Sequence, residues 1–107
     1  MIDFDAKMQK LRKVNGYLGS AILNYSGETL YVENEGTGID MAYSATIFND
    51  AFIMISETSL DIGFSQAEFV ETKTEDGHVF LMKSGGTGNS DEYSKINIFT
   101  IFRDDGN

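Results

Sequence analysis

The chain has 107 residues with 17 Asp+Glu against 8 Lys+Arg, no Cys and no Pro. Its net charge of −9 sits in the middle, because residues 14–72 contain nine acids and no Lys or Arg. Such a block repels phosphate backbones and anionic headgroups, so nucleic acid and membrane surfaces are not expected partners, and the absence of Cys removes disulfides, thiolate metal sites and cysteine nucleophiles. In chain order, Asp3 or Asp5 can cap a first helix over roughly residues 5–14, with Phe4, Met8 and Leu11 at helical spacing and Asn15-Gly16 as its left-handed stop. Residues 17–25 and the alternation of Leu30 and Val32 with Thr29, Tyr31 and Glu33 predict a hairpin about Ser26-Gly27.

A second cap at Asp40 opens a long helix that Gly63 ends. At 100° per residue, Met41, Ala45, Phe48, Phe52 and Ile55 make the core stripe, with Thr46, Asp50, Glu57 and Asp61 opposite. One flank, Ile47, Ala51 and Met54, and another, Ala42, Ile53 and Leu60, widen the apolar surface beyond what a single sheet can cover. Three more strands follow. Alternation over residues 67–72, a turn at Glu75-Asp76-Gly77, residues 78–83, a glycine-rich stretch at 84–91 and the apolar residues 95–102 complete the order α-β-β-α-β-β-β. Tight turns between strands make the sheet antiparallel and the fold class α+β, as one domain over residues 1–107. With neither a signal peptide nor a membrane span in the sequence, the chain is expected in the cytoplasm.

No set of residues assembles a catalytic, cofactor or metal site, so no enzyme and no cofactor are expected. His78 is the sole histidine and follows a turn. Gly85-Gly86-Thr87-Gly88-Asn89-Ser90 lacks the Lys-Ser/Thr step of a phosphate loop, and Gly36-Thr37-Gly38 before the long helix lies among Glu33, Glu35 and Asp40. Asp104-Asp105-Gly106-Asn107 has calcium-loop composition without the spacing or the distal Glu, and Asn24-Tyr25-Ser26 is a sequon by letter only.

Leu11-x-x-Val14-x-Gly16-x-x-Gly19-Ser20-Ala21-Ile22-Leu23, then Tyr25-Ser26-Gly27-Glu28, resembles the first helix, strand entry and hairpin turn of the roadblock/dynein light chain family. The Ala42, Ala45 and Ala51 helix, the Glu75-Asp76-Gly77 turn and Ile101-Phe102-Arg103-Asp104 are similar to later parts of it. The resemblance implies a five-stranded sheet in order 2-1-5-4-3, with helix 1 on one face and helix 2 on the other. It implies a non-catalytic homodimer, made by pairing strand 3, residues 66–74, and by packing the second helices together. The interface residues it carries over are Ile47, Ala51, Met54, Ala67, Phe69 and Glu71, with Asp50, Glu57 and Asp61 as an acidic ridge facing a partner. The partner class it implies is a Ras-like small GTPase, which the chain would regulate or scaffold. Family members commonly continue into a third helix, whereas this sequence ends at Asn107, so the sheet face under Phe99 or Ile98 is expected to be open to a partner's helix or a second dimer. The rival reading is a small-molecule sensor of profilin-like or PAS-like shape, for which Asn97 is the nearest polar candidate and no buried polar set is evident.

Overall fold

A computed structural model describes residues 4–83 and 96–104, the side chain of Lys7 apart. The Asp3 cap, the 84–91 glycine-rich stretch and the Asp105-Gly106-Asn107 tail lie outside the described residues. The elements are α1 (Phe4–Arg12), β1 (Tyr17–Asn24), β2 (Thr29–Asn34), α2 (Met41–Asp61), β3 (Phe69–Lys73), β4 (Gly77–Lys83) and β5 (Ile96–Arg103). All strand pairs are antiparallel, in the order β2-β1-β5-β4-β3. The fold is therefore α+β with the strand order the resemblance implied.

Local chemistry explains the boundaries. In α1, Asp5 lies in the first turn and Lys10 and Arg12 in the last, each favoured by the helix dipole. The helix stops two residues before the expected end, and Gly16 follows at φ 85°, a left-handed conformation that suits a residue without Cβ. A Cβ there would also run into the Arg103 carbonyl, and the Gly16 carbonyl accepts the Arg103 N–H at 2.7 Å, so this glycine lets the α1–β1 turn touch the end of β5. The β1–β2 turn is held by Asn24, whose Oδ1 accepts the N–H groups of Ser26 and Glu28 at 3.0 and 2.9 Å. Asn24 thus serves the turn itself. In α2, the Asp40 side chain accepts the Tyr43 N–H at 3.1 Å, so an acid already occupies the donor end near Gly36-Thr37-Gly38. β3 begins at Phe69, three residues later than expected, and Ala67 lies before the strand.

Two layers of core flank the sheet. Ala21, Leu23, Leu81 and Phe99 bury against Met41, Ala45 and Phe52 of α2, while Ile22, Ile96 and Ile98 bury against Met8 of α1. Two sequence expectations fail here. Phe99 is fully buried under α2 and Ile98 is covered on the α1 side, so neither is open. Partly exposed residues of that face include His78, Phe80 and Phe102, whose rings meet at 6.0 Å spacings. Ile55 also leaves the core stripe, being 45% exposed, and Asn49 and Ser56 are buried instead. The helix is turned by roughly 40° from the hydropathic centre at 100° per residue. A hydrogen bond from Asn97 of β5 to Asn49 accounts for the turn, since it can form only with Asn49 facing the sheet.

Candidate functional site: the outer face of α2 and the β3 edge

With Met41, Ala45, Asn49, Phe52 and Ser56 facing the sheet, geometry sends the residues at intermediate positions outward. Ile47, Ala51 and Met54 are all exposed, Met54 at 66%. Ile55 and Ile62 join them and, with Met54, Thr58 and Ser59, line a shallow depression along the helix. Ser59 also borders a second depression with Phe64 and Phe69, where Phe64 is 72% exposed and Phe69 59%. One apolar band therefore runs from the α2 flank, around the helix end, to the first residue of β3. The Ser59 hydroxyl donates to the Ser65 carbonyl and ties the turn that carries Phe64 to the helix.

The band ends at a sheet edge. Among the described residues β3 pairs only with β4, through Phe69↔Met82 to Lys73↔His78, so its other side presents backbone donors and acceptors that no described strand meets. Strand alternation puts Phe69 and Glu71 on the α1 side of the sheet and Val70 on the α2 side, where it packs on the core. Glu71 is exposed and its Oε2 lies 2.8 Å from His78 Nδ1, which gives the lone histidine a hydrogen-bond partner and a structural place on Phe80. Ala67 is different: it packs against the α2-side core and does not share the Phe69–Glu71 face. Ile55, which hydropathy placed in the core stripe, and Ile62 and Phe64, which it did not single out, are further band residues. Ile55 could have been found by allowing a polar residue into the stripe, whereas Phe64 carries no sequence signal beyond following Gly63.

The acids are arranged about this surface. Asp50, Glu57 and Asp61 are exposed on the side of α2 away from the sheet, next to Ile47 and Met54. Glu57 also borders a cavity between α2 and β5. Among the described residues no cluster of three or more His, Asp or Glu is placed to hold a metal ion, and no helix is long and apolar enough to cross a membrane.

The opposite face of the molecule carries its strongest electrostatics. Arg12 Nε and Nη2 donate to Glu33 Oε2 and Oε1 at 2.9 and 2.7 Å, a bidentate pair, and Nη2 also reaches Asp5. The Tyr17 and Tyr31 hydroxyls donate to Glu33 at 2.6 and 2.8 Å. Tyr17 continues through Ser20 to Thr100, so α1, β1, β2 and β5 share one network. Hydrogen bonding from Arg12, outweighing burial and reinforced by both tyrosines, holds the Glu33 carboxyl at about 2. Burial, then its bond to Glu33, pushes the Tyr17 hydroxyl well above its ordinary value. Glu33 belongs to the base-free block by sequence, yet the fold compensates it with Arg12.

No protein-family model and no curated protein matches the sequence. Solved structures do match the fold. MglB from Myxococcus xanthus superposes with a TM-score of 0.72 at 13% identity, over 92% of this chain and 74% of that one. An MglB with a tetrameric arrangement gives 0.72 at 11% identity, over 94% and 69%. A roadblock/LC7 domain from Streptomyces avermitilis gives 0.67 at 11% identity, over 86% and 70%. At such identities the likeness defines the architecture, and the chain has the roadblock fold.

Proposed function

We propose that this chain is a homodimeric interaction module, without chemistry of its own, that regulates or scaffolds a Ras-like small GTPase. The observation that carries the reading is the apolar band from Ile47 and Met54 through Ile55 and Ile62 to Phe64 and Phe69, which ends on the unpaired edge of β3. Packing two α2 flanks together while joining two β3 edges covers the band and the edge at once, and a symmetric contact of this kind closes as a dimer. The roadblock fold supports the reading, since the family the sequence resembles dimerises this way and works on Ras-like GTPases. The ridge of Asp50, Glu57 and Asp61 borders the band and selects for a partner that offers Lys or Arg.

Titrating the purified chain with Ras-like small GTPases from its source organism, each loaded with GTP or with GDP, tests the partner. Binding that differs between the two nucleotide states is the expected outcome. Absence of binding in both states overturns the GTPase assignment and leaves the dimer to be judged separately.

A further inference from the structure

Between α2 and the β4–β5 end of the sheet lies a cavity of about 220 Å³, lined in part by Phe52, Ile53, Ser56, Glu57, Lys83 and Asn97. Ser56 is 8% exposed and Asn97 4%, and Ser56 Oγ and Asn97 Oδ1 are buried polar atoms with no hydrogen-bond partner among the described residues. Both residues with orphaned atoms line this one cavity. Buried acceptors and hydroxyls are rarely left unmade, so a partner that binds here is expected. The volume holds roughly seven waters at about 30 Å³ each, more than two orphaned atoms can order, and it falls below the about 300–1,000 Å³ of drug-sized sites.

We propose that the cavity binds a small amphiphilic monocarboxylate with an O–H or N–H beside the carboxylate, a 2-hydroxy or 2-amino acid with a short apolar side chain. Each part of that description answers to a residue. The O–H or N–H donates to Asn97 Oδ1, whose amide is fixed because its Nδ2 already donates to Asn49 Oδ1 at 2.8 Å. Among the described residues Lys83 Nζ is the only cation lining the cavity, bonded to Gln66 Oε1 at 3.0 Å, and it supplies the charge for the carboxylate. Ser56, after a turn about χ1, donates its hydroxyl to the same carboxylate. Phe52 and Ile53 give the apolar wall. Glu57 offsets the charge of Lys83 at the lining, which disfavours dianions and admits an ammonium group.

The test is an NMR titration of the full chain, following backbone amides and the Asn97 and Asn49 side-chain amides, with 2-hydroxyisocaproate, leucine, leucinamide and glutamate as probes. A saturable shift of the Asn97 side-chain amide with 2-hydroxyisocaproate or leucine is expected, the stronger of the two identifying the donor as O–H or N–H. Leucinamide and glutamate should bind at least about tenfold more weakly. Lys83→Met and Ser56→Ala should each weaken the preferred probe by a similar factor while retaining the native spectrum, and Lys83→Met should leave leucinamide unaffected. No saturable shift with any probe at millimolar concentration overturns the proposal, leaving the cavity to water. Equal binding to the wild-type chain and both variants also overturns it.

Discussion

The two faces of the sheet solve the same packing problem in opposite ways. On the α1 side a short helix suffices because polar groups finish the job: Arg12, Asp5, Glu33, Tyr17, Tyr31, Ser20 and Thr100 interlock, and Glu33 accepts from three side chains. On the α2 side a helix of 21 residues covers the sheet but sends Ile47, Met54 and Ile55 outward, with Ile62 at its cap, and among the described residues leaves Ser56 Oγ and Asn97 Oδ1 unpaired. A saturated network raises stability and offers nothing to a partner. Surplus apolar area and unmet hydrogen bonds lower the stability of an isolated chain, and a partner that covers them offsets that cost. The contrast gives the Arg12–Glu33 network to folding and leaves the α2 flank as the surface proposed for recognition.

Breaking the saturated side should have the largest effect on folding. Glu33→Ala removes the acceptor of Arg12 and both tyrosines, and about 3 kcal/mol of stability is expected to go with it, read from urea unfolding at neutral pH. Acid gives the same information without mutation. Because the Glu33 carboxyl is held at about 2 in the fold against 4.5 ordinarily, its contribution is present above pH 4.5 and is lost as pH falls toward 2. Stability should drop by about 2–3 kcal/mol over that window, and the Glu33→Ala variant should lack this part of the acid transition.

The unsaturated side answers to a different comparison. Asn49→Ala strands the Asn97 amide in the core and should cost about 2 kcal/mol, whereas Asn49→Leu with Asn97→Leu removes both polar groups and should cost less than about 1 kcal/mol. An equal loss in the two variants would mean that packing, not the amide pair, sets the cost. Salt gives a smaller effect: association with a basic partner through the Asp50, Glu57 and Asp61 ridge should slow as ionic strength rises. Salt-independent association rates would make that ridge a solvated rim. Met54→Arg should change the stability of the dilute chain by no more than about 0.5 kcal/mol, as befits an exposed position, while changing its assembly.

Sequence carried the local rules well and the distant ones poorly. The Asp40 cap, the Gly63 stop and the Asn15-Gly16 and Ser26-Gly27 turns could be read because each is a short-range choice among few backbone conformations. Met41, Ala45 and Phe52 were legible as core from their spacing, as were Ile47 and Met54 as excess surface. Ile55 was misplaced because hydropathy ranks it above Asn49 and Ser56, and the Asn49–Asn97 bond that turns the helix joins residues 48 apart. Glu33 looked uncompensated for the same reason, its cation lying 21 residues away on α1. Which of two alternating residues faces out at the sheet edge likewise depends on where β3 begins, and that start at Phe69 separates Ala67 from Phe69 and Glu71.

Light scattering on the wild-type chain and on Met54→Arg decides whether the α2 flank and the β3 edge form an interface between two copies. Pairing through these surfaces gives a wild-type mass of twice 11.9 kDa and a variant mass of 11.9 kDa, because a buried unpaired guanidinium opposes association. A wild-type mass of 11.9 kDa at micromolar concentration would contradict it.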